Sequence, residues 1–280
     1  MEKPEFIWLN EELVPLSQAR VSVNDRGFLY GDGFFETLRA AEGRLLFLAE
    51  HLARLRASAQ AFRIPWPQGF SWEERLGQLL AANGLERGLA RVKILYTRGA
   101  APGLGLPGEA RPTLVIWAQP YTPPSPEEYA RGWSLATFPE RRSTFLGRHK
   151  SLNYLFYLAA RQYALDRGAK EALILEADGR VSEGAATTLL YVQGGTFYTP
   201  EAPSALPGVT IGVLGRGLAR RGLSLKAVPT TPDQLPQADG LWLANSLMGV
   251  MPVSSLDGRI LPISEATGLL QECLNLEAQA

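Results

Sequence analysis

Arg148-His149-Lys150-Ser151-Leu152-Asn153-Tyr154, followed about thirty residues later by Val181-Ser182-Glu183-Gly184-Ala185, is the stretch on which the reading of this chain turns. The lysine stands where a basic loop, Arg141 to Arg148, gives way to an apolar helix; the carboxylate stands where a strand returns from the Asp178-Gly179 turn. A lysine so placed can bond a carbonyl carbon through its amine, and a glutamate can hold a proton on a neighbouring base. Most lysines and glutamates at such places are solvated surface charges. The reason to read these two otherwise lies in the rest of the chain.

Downstream of Lys150, the residues Leu152, Leu155, Phe156, Ala159 and Tyr163 form the apolar stripe of a helix that Gly168 ends. Trp133 to Phe138 precedes it as a strand, and Glu171 to Glu176 follows, turning at Asp178-Gly179 into Val181 to Glu183. Thr188 to Val192 and Thr196 to Thr199 make a hairpin around Gly194-Gly195. Leu206-Pro207-Gly208-Val209-Thr210 then opens a helix toward Arg220, with Thr210 as its N-cap and Gly222 beyond its end. Backbone N–H groups at such a helix start suit a phosphate. Leu241 to Ala244 is a buried strand, broken at Asn245-Ser246 and resumed at Val250 to Val253.

Upstream, Phe6 to Leu9, a turn at Asn10-Glu11-Glu12, and Val21 to Val23 read as antiparallel sheet. Asp25-Arg26-Gly27 and Gly31-Asp32-Gly33 interrupt it before the strand Phe34 to Arg39. A period of two puts Phe35, Thr37 and Arg39 on one face and Phe34, Glu36 and Leu38 on the other. A plain core face has no use for an arginine, which marks the first face as a candidate site. Leu48, Leu52, Leu55, Ala59 and Phe62 recur at helical spacing up to Pro65, with Phe47, His51, Arg54 and Ser58 as a second stripe. Ser71 to Asn83 reads as a further helix stopped by Gly84. Val92 to Thr97 and Thr113 to Ala118 read as paired strands around the loop Arg98 to Gly105, and alternation puts Tyr96 and Arg98 on the same side.

The Pro-dense stretch Gln119 to Pro126 marks a boundary. The expected organisation is a small α/β domain over residues 1–120, a Pro-rich linker over 121–129 and a large domain over 130–280 carrying Lys150. With 28 acidic and 28 basic side chains in 280 residues, and no basic run, a nucleic-acid partner is not expected. No apolar run approaches the roughly 20 residues a membrane span needs, and Met1-Glu2-Lys3-Pro4-Glu5 does not lead into a signal segment, so the expected location is cytoplasmic. The single Cys273 reads as a packed residue, and two histidines, His51 and His149, without clustered ligands predict no metal.

Taken in order, the stretches Asp25 to Arg39, Glu50-His51-Leu52-Ala53-Arg54-Leu55, Lys150 to Tyr154, Ser182-Glu183-Gly184-Ala185, Leu206 to Thr210 and Asn245-Ser246-Leu247-Met248 resemble one family. It is that of the fold type IV pyridoxal-5'-phosphate enzymes: branched-chain aminotransferases, D-amino-acid transaminases and 4-amino-4-deoxychorismate lyases. The resemblance runs from Val21 to Val253. It implies a two-domain α/β fold, a small α/β domain and a larger one built around a β-barrel, with the cofactor in the cleft between them, in a homodimer. Lys150 matches the lysine that bonds the cofactor aldehyde and then serves as acid and base, and Glu183 the carboxylate facing the pyridine nitrogen. Tyr154 matches a residue beside the ring hydroxyl, Arg54 an arginine on the phosphate, Val209 and Thr210 the helix start beneath it, and Ser246 a hydroxyl ligand. Tyr30, Phe35, Thr37, Arg39 and Arg98 would line the pocket for a small amino substrate.

The branches differ in that pocket. The D-amino-acid branch has an Arg-x-His trap where this chain has Arg98-Gly99-Ala100, and the branched-chain branch has a glycine where this chain has Thr37 in Glu36-Thr37-Leu38-Arg39. Thr37, with the Thr97-Arg98-Gly99 start of the glycine-rich loop and Lys150-Ser151-Leu152-Asn153, is most similar to the lyase branch, in which the threonine assists the lysine. The resemblance therefore implies a 4-amino-4-deoxychorismate lyase serving folate precursor synthesis, with a branched-chain, D-amino-acid or broad aminotransferase as the alternative. A silent binding protein on the same fold would have no need of both Lys150 and Glu183.

Overall fold

The alternation over residues 34–39 forms a strand of a six-stranded antiparallel sheet in the computed structural model, which describes residues 5–279. Met1–Pro4, part of the stretch read above as lacking a signal segment, and Ala280 lie outside the described residues. The chain divides into two compact units. One holds the described residues through Thr122 together with His149–Asn153, and the other holds Pro123–Arg148 and the chain from Tyr154 onward.

The first unit runs β1 (Phe6–Leu9), β2 (Glu12–Pro15), α1 (Arg26–Tyr30), β3 (Gly33–Ala41), β4 (Arg44–Leu45), α2 (Leu48–Ala61), α3 (Trp72–Ala82), β5 (Leu89–Thr97) and β6 (Thr113–Pro120). The strand order is β2-β1-β6-β5-β3-β4. One face carries Phe34, Leu38, Val92, Ile94 and Ile116 against Leu55 and Ala59 of α2 and Leu76 and Leu79 of α3. Each large aliphatic side chain withdrawn from water there contributes about 1.5–3 kcal/mol. Val21–Val23 is not the expected strand: β1 pairs with Glu12–Pro15 directly across the turn, and Val21 and Val23 are 49% and 71% exposed. A short hairpin closes the nearest pairing first, and Pro15, which lacks an N–H, ends it. Asp25 caps α1 through the Gly27 amide at 2.7 Å, and Gly31 ends it in the left-handed region at φ 67°.

The second unit begins with α4 (Pro126–Arg131), which opens at the last proline of the Pro-dense stretch. Proline suits a first helical position because that N–H would have no helical partner, and Ser125 and Glu128 form a capping box there. There follow β7 (Trp133–Thr137), α5 (Leu155–Asp166), β8 (Glu171–Leu175), β9 (Val181–Gly184), β10 (Thr188–Gln193), β11 (Thr196–Pro200), α6 (Val209–Arg220), β12 (Leu225–Val228), β13 (Gly240–Asn245), β14 (Gly249–Leu256), β15 (Arg259–Ile260) and α7 (Ala266–Gln279). The nine strands form one mixed sheet, ordered β12-β11-β10-β13-β14-β7-β8-β9 with β15 on β14, and β9 comes back against β10 and β11. Leu173, Val181, Leu189, Leu243, Met251 and Val253 form its core.

The apolar stripe expected along α5 holds at Phe156 and Tyr163, which pack on Phe138, and fails at Leu155 and Ala159, which are exposed. The helix buries Ala160 and Ala164 against Ala172 and Ile174, while Leu155 is 77% exposed. Small alanines let the helix lie close to β8, and that close approach sets which side faces in. Cys273 is fully buried on α7. No helix among the described residues is long and apolar enough to cross a membrane.

Candidate active site

In the first unit, Phe35, Thr37 and Arg39 project from the face of β3 opposite α2 and α3. Their partners in register on β5 are Leu95, Lys93 and Arg91. Lys150 reaches this face through backbone pairing: the Phe35 amide donates to the Lys150 carbonyl at 2.8 Å, the Leu152 amide to Gly33 at 3.0 Å, and Ser151 bridges to Phe34. The lysine Nζ sits 4.6 Å from the centre of the Phe35 ring. These bonds are the reason His149–Asn153 packs with the first unit and not, as the sequence suggested, with residues 130–280.

On the opposite face, Glu36 is fully buried. Arg54 on α2 grips it with Nε and Nη2, both at 2.7 Å, and His51 Nδ1 lies 2.7 Å from its Oε2. Burial alone would raise the Glu36 pKa; the hydrogen bonds and charges of Arg54 and His51 outweigh it and hold the carboxyl at about 2, against an ordinary 4.5. A depressed carboxyl contributes stability that is complete above the unfolded value and lost as pH falls through the folded one. Between pH 4.5 and about 2 the protein is therefore expected to lose on the order of 3 kcal/mol through this group. Denaturant titrations across that window should show a shallower acid limb for Glu36→Gln than for the wild type. Equal limbs would refute the assignment.

Arg98 is not a pocket residue. It is fully buried on the core side with Tyr96, and Asp32 takes its Nε and Nη2 at 2.7 and 3.1 Å. The carbonyls of Phe62, Arg63 and Pro107 take its remaining hydrogen-bonding capacity. A guanidinium with five donors so occupied has none to offer a substrate carboxylate. Asp32 also accepts from Arg26 Nε at 2.8 Å, while Arg26 holds the Gly103 and Gly105 carbonyls, so that a single carboxylate orders both arginines and the loop between β5 and β6. Tyr30 ends α1, 53% exposed, with the Arg26 guanidinium 5.1 Å from its ring centre.

In the second unit, Glu183 on β9 is buried. Its Oε1 accepts from Arg142 Nη2 and, at 2.8 Å, from the Tyr157 hydroxyl; its Oε2 accepts from the Leu206 amide at 3.0 Å. Arg142 also donates to Tyr157 at 2.6 Å and to the Ser204 carbonyl at 2.8 Å. The chain passes so close there that a Cβ on Gly147 would lie 1.8 Å from the Ser204 oxygen. Tyr154 stacks on Tyr157, ring centres 4.7 Å apart, and donates to the Ala185 carbonyl at 3.0 Å. Burial first, then the Glu183 charge, push both tyrosine hydroxyls well above their ordinary range, so each keeps its proton. Glu171 accepts the Ala172 and Ala185 amides at 2.8 and 3.2 Å and steadies the turn after Glu183.

Leu206, bonded to Glu183, stands three residues before α6. Gly208, not Thr210, is the N-cap of that helix: the Gly212 amide already donates to the Gly208 carbonyl, which places Thr210 inside the first turn. Glycine offers no side chain to the first amides, a start well suited to an anion. Val209 and Thr210 are both buried. Ser246 lies in the turn between β13 and β14, where Asn245 Oδ1 accepts the Leu247 and Met248 amides. The pairing of Thr188 with Ala244 sets that turn beside the Ala186 end of the loop after β9.

Glu36, His51, Lys93, Arg142 and Tyr157 were not singled out from the sequence as site residues. Parity could have found two of them: a carboxylate between Phe34 and Leu38 demands a partner, and Lys93 shares the parity of Arg91 and Leu95. The residue types suit pyridoxal phosphate: the first unit offers the amine of Lys150, and the second offers a buried carboxylate bonded to Arg142 and a helix start without a side-chain cap.

The family model for amino-transferase class IV matches residues 33–256. A Methanocaldococcus jannaschii protein described as a branched-chain-amino-acid aminotransferase is 32% identical over 95% of this chain and 94% of its own. The branched-chain amino acid aminotransferase of Escherichia coli superposes with a TM-score of 0.87 at 25% identity over 96% of this chain and 93% of its own. A Legionella pneumophila structure described as a 4-amino-4-deoxychorismate lyase superposes at 0.86, with 28% identity over 94% of this chain and 97% of its own.

Proposed function

The chain belongs to the class IV aminotransferase family, and from that premise we propose that it is a 4-amino-4-deoxychorismate lyase, releasing 4-aminobenzoate and pyruvate. It is a pyridoxal-5'-phosphate enzyme of fold type IV. The observation that carries the lyase reading is the position of Thr37. Its hydroxyl stands on the Phe35 face that Lys150 joins, among Arg39, Arg91 and Lys93, and β3, β5 and β6 place no carboxylate on that face. A substrate with two carboxylates is suited to such a surface, and a leaving enolpyruvate needs a proton from a group like Thr37.

Bound pyridoxal phosphate supplies an electron sink conjugated to the carbon that bears the substrate amine. The protein supplies the proton transfers and the binding. Lys150 would hold the cofactor and would then take the proton from C4 of the substrate. Glu183, bonded to Arg142, would hold the proton on the pyridine nitrogen. Thr37 would relay that proton from Lys150 to the departing enolpyruvate, giving pyruvate, and aromatisation of the ring draws the step forward. Arg39 binds a substrate carboxylate. Arg54, oriented by Glu36, would be the phosphate ligand of the first unit, and the start of α6 and Ser246 those of the second, where Tyr154 would serve the ring hydroxyl.

The second reading is an aminotransferase for branched-chain amino acids, D-amino acids or a broad range of them. The protein fed aminodeoxychorismate should release 4-aminobenzoate, and Thr37→Val should slow that release by about 10²-fold or more. No 4-aminobenzoate, together with efficient amine transfer from amino acids to 2-oxo acids, would replace the lyase with the aminotransferase. A homodimer fits the apolar side chains left in solvent, such as Val23 at 71% and Phe28 at 76% exposed. A light-scattering mass of 30.6 kDa, that of one chain, would reject it.

A further inference from the structure

We propose that Lys93 is a positioning residue that acts through Lys150: its ammonium, gathered with that of Lys150 around the ring of Phe35, biases the Lys150 nitrogen toward its unprotonated form. The inference rests on the reading of Lys150 as the residue that bears the cofactor. Lys93 faces Thr37 in register across β3 and β5. Its Nζ lies 4.9 Å from the centre of the Phe35 ring and 5.5 Å from that of Trp117. Lys150 Nζ lies 4.6 Å from the same Phe35 centre. Two nitrogens held to one ring are no more than about 9.5 Å apart. The negative face of the ring attracts each cation, and the two cations repel each other. A lysine beside a second cation gives up its proton more readily, which is the state a nucleophile or base requires.

The groups around the pair add to this field. β3 contributes Arg39 and β5 contributes Arg91. β6 contributes the neutral Gln119, bonded to Arg91 at 2.8 Å, with Tyr121 just beyond. Glu5 accepts from Gln119 Nε2 at that edge, at 3.4 Å. Beside Lys150, His149 turns to the other face, with Nδ1 3.0 Å from Ser58 and its ring against Phe34 and Phe62. Glu36 also faces away, held by Arg54 and His51. Burial and, after it, Arg91 bring the Lys93 pKa itself below its ordinary 10.5. The two lysines thus share a surface on which positive charge is crowded.

The test is a pH titration of the absorbance of the bound cofactor in the holoenzyme, without substrate. The band that depends on Lys150 is first identified by its loss in Lys150→Ala. At the largest separation the ring allows, one charge shifts the midpoint by about 0.3 pH units in a water-like medium and about 1.3 at an effective dielectric of 20. Lys93→Met is expected to raise the midpoint by an amount in that range, and Lys93→Gln, a second neutral variant, to do the same. Lys93→Arg, which keeps the charge, should titrate as the wild type does. A midpoint unmoved in Met and Gln variants, or moved as far by Arg as by Met, would overturn the proposal while leaving the role of Lys150 intact. A wild-type band that survives Lys150→Ala would overturn the reading of Lys150 and this inference with it, before Lys93 is touched.

Discussion

Lys150→Ala is expected to lower kcat/KM by at least about 10³-fold while leaving the fold in place. The two consequences separate because different parts of the residue serve them. The backbone of Lys150 holds its segment to β3 through the bonds from Phe35 and to Ser151's bridge partner Phe34, and alanine keeps all of these. The side chain is half-buried, and its contact with the Phe35 ring is worth about 0.5–1 kcal/mol, so stability should change by no more than about that amount. Borohydride reduction followed by peptide mass spectrometry should add the cofactor's mass to the Lys150 peptide of the wild type and to no peptide of the variant. Near-normal turnover in the variant, or a label carried by Lys93, would show that another amine does the work.

Glu183→Ala is expected to cost both rate and stability, and Glu183→Gln mainly rate. Alanine would leave Arg142 buried without its carboxylate, and breaking a buried ion pair from one side costs about 3–5 kcal/mol. The Tyr157 hydroxyl and Leu206 amide would lose an acceptor as well. Glutamine keeps the shape and one carbonyl oxygen for Arg142 and the Tyr157 hydroxyl, gives up the acceptor of the Leu206 amide, and removes the charge. A unit charge about 4 Å away at an effective dielectric of 20 is worth about 4 kcal/mol, or about 10³-fold in rate. Cofactor should stay bound in Glu183→Gln, since the amine and the phosphate ligands are untouched. Stopped-flow turnover within a few-fold of the wild type would remove Glu183 from the chemistry.

Much of the fold was legible in the chain because it rests on local periodicity. The alternation through residues 34–39 and 92–97, the α2 and α3 spacings, the Gly194-Gly195 hairpin and the break at Asn245-Ser246 all appear where the pattern put them. Local pattern fails where a partner decides. Val21–Val23 has strand composition and no strand to pair with. Leu155 has the spacing of a core residue on a helix whose alanines, not its leucines, meet β8. Arg98 is the instructive case: parity already set it beside Tyr96 and away from Phe35, and the half-buried Asp32 explains why an arginine is tolerated there.

By itself the sequence determined which residue types stand at the two proposed chemical positions, Lys150 and Glu183, and which face of β3 carries Thr37 and Arg39. Residue identity and a period of two need no knowledge of what lies across the fold. Only the tertiary structure decided what each group touches. Arg142 meets Glu183 across 41 residues of chain, Glu36 is ionised because α2 brings Arg54 and His51 to it, and Lys93 comes to the ring of Phe35 through sheet register. Charge state and reactivity depend on neighbours within a few ångströms, and those neighbours are chosen by packing and not by distance along the chain.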